Sequence, residues 1–285
     1  MVDAHDKKPP GPKKRKRLRG WRAWVLRGVM VVLAPLVFLL LLEGGLRLFD
    51  YGYSTNFFEA DDANDAFIPN KKFSWRFYRP QIAKHPLPFS MASSKPDGAF
   101  RIFVLGSSAA WGTPSPSFSF SRILSVMLRQ QYPDVKFEVI NTAIMGVNSH
   151  IVLPIVRDCT QHAPDLFIVY LGNNEVIGLH GPKTHPGGVM PSLSFIRTSL
   201  WVNSTRAGQL LQSLISSSDS ESGAAKQQDL KYFREHQVSA DDPERLAAYE
   251  NFRANLEDIC DVSANSGAQT IVATVAVNLK DSPPF

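Results

Sequence analysis

Residues 101–112 read RIFVLGSSAAWG, and this stretch decides the fold. Four apolar residues, Ile102 to Leu105, run into Gly106 and then into the small residues Ser107, Ser108, Ala109 and Ala110. With Phe100 in front, the run is short, apolar throughout and closed by glycine, the pattern of a strand buried on both faces. A chain leaving such a strand must turn tightly, and small side chains leave room at that turn for a ligand to approach.

Outward from this strand the chain alternates. Residues 117–131, SFSFSRILSVMLRQQ, place Phe120, Ile123, Leu124, Met127 and Leu128 at helical spacing, with Pro114 and Pro116 near the start. KFEVIN (136–141) reads as a second strand, 149–162 as a helix and DLFIVYLG (165–172) as a third strand. A long helix is expected within 241–267, with Leu246, Tyr249, Phe252, Leu256 and Ile259 on one stripe, and TIVATVAV as a strand behind it. Alternating strands and helices predict an α/β fold with a parallel sheet covered on both faces.

In such a sheet, reactive groups gather at the carboxyl ends of the strands. Three stretches fall there: GSSAAWG after the first strand, NTAIMGVNS after the second and YLGNNEV after the third. Ser108 would stand at a strand-to-helix turn. Gly146 offers an unobstructed backbone N–H, and Asn174 a side-chain amide donor. Three donors converging on one oxyanion beside a serine hydroxyl is the layout of acyl transfer through a serine ester. Each residue also has a plainer reading. Ser107 and Ser108 can be small packing residues at a tight turn, Gly146 a loop glycine and Asn174 a cap. Trp111 either lines a pocket or packs on the sheet.

VLGSSAAWG, NTAIMGVNS and YLGNNEV resemble the first three conserved blocks of the SGNH hydrolases, also called GDSL esterases and lipases. The resemblance covers roughly residues 100–277 and implies a flavodoxin-like three-layer sandwich. It also implies a serine hydrolase that cleaves or transfers an ester-linked acyl group, without cofactor or metal. By the resemblance, Ser108 matches the nucleophile and first oxyanion donor, Gly146 the second donor and Asn174 the third. Ser107 replaces the aspartate that commonly precedes the serine. The family's base lies in an Asp-x-x-His block near the end of the domain, and no Asp-x-x-His occurs in this sequence. Asp158 and His162 come nearest but stand four apart. The expectation is a chain that stops before that block and by itself turns over poorly. His150, His180 and His185 lie in or near the active-end loops as conceivable substitute bases, although a solvated loop histidine is the simpler reading of each. Bacterial membrane-anchored members with a C-terminal tetratricopeptide region look similar at the N-terminus and at TVAVNLKDSPPF.

Charge argues for a membrane and against nucleic acid. The chain carries a formal +5, but residues 1–27 hold ten Lys/Arg against Asp3 and Asp6, a net of +8, so the remainder is mildly acidic at −3. Behind the basic tail, Gly28 to Leu42 contains no charged residue, and with the apolar residues before it the span approaches the about 20 residues that cross a bilayer. Lys/Arg concentrate on the N-terminal side, which predicts a cytoplasmic tail and an exported body. No small-x-small cleavage site follows Leu42, so an uncleaved anchor is expected in place of a signal peptide.

The expected organisation is a cytoplasmic tail (1–20), a transmembrane anchor (21–46), an irregular juxtamembrane segment (51–99) and an SGNH-like domain (100–285) with an insertion at 178–242. The insertion reads as an amphipathic helical centre, SFIRTSLWVNSTRAGQLLQSLI, and a flexible linker, SSSDSESGAAKQQ; such inserts commonly form lids or collars. The expected partners are a bacterial inner membrane, with the body facing the periplasm, and an acylated small molecule, lipid or polysaccharide. A non-catalytic tethered scaffold or carbohydrate-binding module is the alternative. Cys159 and Cys260 fit no metal spacing and read as two buried thiols.

Overall fold

The computed structural model describes residues 20–182, 190–216, 238–239 and 241–276. The basic tail, His185, the SSSDSESGAAKQQ linker beyond Ser216 and the last residues after Ala276 lie outside the described residues. The chain divides into two units, Met1–Phe49 and Asp50–Phe285. In the first, helix α1 (Trp21–Leu48) runs through Pro35, buries none of its residues and reaches a mean hydropathy of 2.6 over 18 residues. At 1.5 Å per residue it is roughly 42 Å long, so α1 is long and apolar enough to cross a membrane.

The second unit is an α/β fold. Its sheet holds four parallel strands in the order β5-β4-β6-β7: β4 (Ala99–Gly106), β5 (Lys136–Asn141), β6 (Leu166–Tyr170) and β7 (Gln269–Val272). The alternation of side chains along β4 and β6 builds two cores. Phe103, Leu105, Phe167 and Val169 face α4 (Ser149–Cys159) and the last turns of α7 (Pro243–Asn265), where Ile151, Ile155 and Ile259 are buried with them. Ile102, Val104, Leu166 and Ile168 face the other way, against α2 (Ser108–Trp111) and α3 (Phe120–Gln131). Helix, sheet and helix form three layers.

Only part of each apolar stripe is used. On α3 the Phe120 and Leu128 line meets the sheet, while Ile123 and Met127 point outward and stay exposed. On α7 Leu246 and Tyr249 are exposed, because the contact with α4 and the sheet is carried by Phe252, Leu256 and Ile259. Trp111 packs in the α3-side core with Ala110 and Ala143.

Ahead of the large sheet, β1 (Phe58–Asp61), β2 (Ala66–Pro69) and β3 (Met91–Ala92) make a small antiparallel sheet whose Phe58 joins the α4-side core. The described part of the insertion forms α5 (Leu193–Ser204) and α6 (Arg206–Ser216). Ile196 and Leu200 of α5 enter the same core, and Gln209 of α6 exchanges two hydrogen bonds with the Tyr53 backbone. Cys159 and Cys260 are free thiols; Cys159 is buried as expected, but Cys260 is half-exposed on α7.

Candidate active site

The order β5-β4-β6 means that the chain leaves β4 toward one side of the sheet and returns on its other side. The carboxyl end of β4 is therefore the topological switch point, where open α/β sheets bind ligands. Gly106 ends β4 there. A Cβ on Gly106 would lie 2.5 Å from the Ala110 Cβ and 2.6 Å from the Tyr170 carbonyl oxygen, so glycine is what lets the turn into α2 lie against β6. Ser107 stands just ahead of α2 without a side-chain capping bond and is buried at 3% exposure; Ser108, the first residue of α2, is half-exposed.

The three sequence stretches meet here. Asn174, 67 residues from Ser107, donates from Nδ2 to Ser107 Oγ at 2.6 Å and to the Val147 carbonyl at 2.9 Å. Both amide hydrogens are thereby engaged. Asn141, at the end of β5, donates to the Ala110 carbonyl at 2.8 Å and accepts from Ala143 N–H at 3.0 Å, tying α2 to the loop after β5. Gly146, in that loop, has φ +76° and is exposed, and its carbonyl accepts from the Tyr78 hydroxyl at 3.2 Å. Of the expected residues, then, Asn174 and the Gly146 loop are brought together, and the serine that touches Asn174 is Ser107. The Ser108 hydroxyl makes no hydrogen bond among the described residues.

Sequence reasoning passed over the polar groups beneath this edge. Glu175, 4% exposed, accepts from Ser149 N–H at 3.0 Å and from Ser149 Oγ at 2.8 Å. Burial pushes its carboxyl upward, and the two Ser149 bonds pull it back. His150 is also buried, with its ring 6.0 Å from that of His180. Burial first, then His180 and Arg197, lower its pKa to about 4. The sequence signal for Glu175 was its place directly after Asn174; for Asn255, which bonds Ser149 and His150, there was none.

Asp158 and His162 stand elsewhere. They close α4 and its following turn, where the His162 carbonyl meets Arg101 at the start of β4. The five residue steps from Arg101 to Gly106 put roughly 16 Å of strand between them and the switch point. They are not a base for either serine.

No protein-family model and no curated protein matches the chain. Similar solved structures include the acetyl xylan esterase AlAXEase, at 11% identity and TM-score 0.30, over 61% of this chain and 77% of that one. AlinE4, described as an SGNH-hydrolase family esterase, is similar at 15% identity and TM-score 0.28, over 62% and 77%. TesA is similar at 15% identity and TM-score 0.25, over 58% and 99%. At such identities and TM-scores these likenesses carry no inference about the chemistry. The fold and the site are defined by the chain's own geometry: an α/β unit with a parallel sheet, and serines, an amide and a glycine loop gathered at its switch point.

Proposed function

We propose that this chain is a serine hydrolase of the SGNH type that cleaves or transfers an ester-linked acyl group. In this reading it is held in a bacterial inner membrane by α1, with the α/β unit in the periplasm. The observation that carries the chemistry is the Asn174 amide, which joins Ser107 and Val147 and so draws all three stretches to the carboxyl end of β4. Ser108 Oγ attacks the acyl carbon and gives its proton to a base from solution, such as imidazole, which returns it to the leaving alcohol; the tetrahedral oxyanion rests on the N–H groups of Ser108 and Gly146 and on the Asn174 amide. Collapse breaks the bond to the leaving alcohol, which takes a proton, and water or a sugar hydroxyl then accepts the acyl group. Ser107 holds the Asn174 amide beside the attacking hydroxyl. As the oxyanion forms, that amide hydrogen is shared with it or passes from Ser107 to it.

Among the described residues the proton acceptor is the scarce part. His150 accepts a hydrogen bond at Nδ1 and has a pKa of about 4, far below the value near 7 that suits a base at neutral pH. Turnover by this chain alone is therefore slow, and an added base rescues it. With p-nitrophenyl acetate and imidazole, the wild-type chain should exceed Ser108→Ala by more than about tenfold, while Ser107→Ala keeps most of the rate. Equal rates for wild type and Ser108→Ala would remove the nucleophile and favour the tethered scaffold. Loss in Ser107→Ala alone would move the nucleophile one residue earlier. For the membrane reading, a reporter active only in the periplasm should work when fused after residue 60 and be silent at residue 18; the reverse pattern would overturn it.

A further inference from the structure

Beneath the switch point runs a chain of side-chain hydrogen bonds whose direction is fixed from one end. Arg197, on α5, donates from Nη2 to Asn255 Oδ1 at 3.0 Å and pairs with Asp258 at 2.8 Å. A guanidinium only donates, so the Asn255 amide has one orientation, oxygen toward Arg197 and nitrogen inward. Its Nδ2 then donates to Ser149 Oγ at 3.0 Å and to His150 Nδ1 at 2.9 Å. His150 accepts at Nδ1 and so carries its proton on Nε2. Ser149 Oγ accepts from Asn255 and sends its own hydrogen to Glu175, which also accepts the Ser149 N–H. Reversing the Arg197–Asn255 bond or the Asn255–His150 bond sets two donors face to face, in a place where Ser149, Asn255, Glu175 and His150 are all buried.

The inner end of this chain lies on the two loops that matter. Glu175 follows Asn174 directly, and Ser149 is the first residue of α4, three after Gly146. Asn148, the N-cap of α4, makes no side-chain capping bond; the Glu175 carboxylate takes that place from across the fold. An anion there also suits the helix N-terminus.

We propose that Arg197, Asn255, Ser149 and Glu175 are positioning residues, a one-way hydrogen-bond wire that lets the insertion helix α5 set the separation of the Gly146 and Asn174 loops. The part of this that concerns catalysis rests on the acyl-transfer reading above; the wire itself does not.

The test uses the full chain in detergent micelles, labelled with ¹⁵N at histidine, glycine and asparagine. Long-range ¹H–¹⁵N correlation should show His150 neutral and protonated on Nε2. Asn255→Asp turns the inward donor into an acceptor and should move the His150 proton to Nδ1. Where that variant does not fold, the half-exposed Arg197→Ala keeps the test. The Gly146 N–H and Asn174 side-chain signals should shift most in Glu175→Gln, less in Arg197→Ala and not in the exposed control Arg253→Ala. Imidazole-rescued turnover should fall about tenfold in Glu175→Gln with KM unchanged. A wild-type His150 protonated on Nδ1, or Gly146 and Asn174 signals that stay put in Glu175→Gln, overturns the wire. Turnover indifferent to Ser108→Ala overturns the acyl-transfer reading and leaves the magnetic resonance result standing.

Discussion

The two ends of the large sheet hold polar groups on different terms. At the amino end the groups are charged and committed. Arg101, 1% exposed on β4, donates to Glu138 at 2.8 Å and to the His162 carbonyl at 2.7 Å, while Asp165 takes the Arg101 N–H at 2.6 Å and pairs with Lys95. His162 is wedged between Phe58 and Phe67 at ring separations of 4.2 and 4.4 Å. A cavity of about 320 Å³ opens beside it, lined by Asp158, Gln161 and aromatic rings, yet both its histidine and its acid are tied into the packing. At the carboxyl end the groups nearest the switch point are neutral amides and hydroxyls, and Ser108 is half-exposed with its hydroxyl unengaged among the described residues. Fixed ion pairs stabilise; neutral donors at an open edge can exchange partners with a substrate.

The largest stability effect belongs to the amino end. Arg101→Met strands the Glu138 carboxylate and the His162 carbonyl, and breaking a buried pair in this way costs about 3–5 kcal/mol. Ser107→Ala, at the other end, costs only about 1 kcal/mol because it removes one neutral hydrogen bond. Urea midpoints of the two variants measure the contrast. A loss under about 1 kcal/mol for Arg101→Met would erase it.

Next in size is a pH effect from the carboxyl end. His150 has a pKa of about 4 in the fold against 6.5 when unfolded, so the unfolded chain binds more protons between those values. Stability from this group is complete above pH 6.5 and is lost as the pH falls toward 4, up to about 3 kcal/mol in all. Burial of Glu175 raises its carboxyl pKa and so acts in the opposite sense, while His162 at the amino end is lowered by burial and then by Arg101 and adds to the His150 trend. His150→Gln should flatten most of the slope in urea midpoints between pH 6.5 and 4. An unchanged slope would assign it to His162 and the amino end.

How much of this was legible in the sequence depends on the range of each interaction. β4 and β6 were readable because a strand covered on both faces is apolar at nearly every step, and Gly106 and Gly172 punctuate them; β5, at the sheet edge, is half-exposed and carries Lys136 and Glu138, so its signal was the weaker one. The helices were readable as periodic, but the stripe on α3 overstated the buried face, since sequence spacing does not say which of two adjacent lines meets the sheet. Among the described residues β7 spans Gln269–Val272, one residue ahead of TIVATVAV and short of its second half, although Ala273 N–H still bonds the Val169 carbonyl at 2.9 Å. That Ser108, Gly146 and Asn174 lie at the carboxyl edge of the sheet was legible from the ends of strands. That Ser107 is the serine touching Asn174 was not, because this depends on how the turn rotates one residue. Arg101 reads as a stray charge in an apolar run until Glu138 and His162, 37 and 61 residues away, close on it. Asn255 sits in a helix among polar residues, and only its distance from Ser149, 106 residues back, gives it a role.

The smallest predicted effects compare two glycines of the carboxyl end, and they ask whether that end is rigid throughout. At Gly106 an added methyl must displace the Tyr170 carbonyl 2.6 Å away or the Ala110 methyl 2.5 Å away, and neither belongs to a flexible side chain. Gly106→Ala should therefore cost about 1–3 kcal/mol, the range for overpacking, and should disturb turnover by moving Ser107 and Ser108. At Gly146 nothing lies within 4 Å of an added Cβ, and the penalty is only that of φ +76° for a residue with a side chain. Gly146→Ala should cost about 1 kcal/mol. It keeps its N–H, and Tyr78 still holds its carbonyl, so imidazole-rescued turnover should stay within about threefold of wild type, as expected when a main-chain donor is retained. Urea midpoints and initial rates of both variants decide the point. If Gly146→Ala loses turnover as completely as Gly106→Ala while keeping its stability, the loop after β5 must move during the reaction, and the carboxyl end is divided into a fixed half at β4 and a mobile half at Gly146.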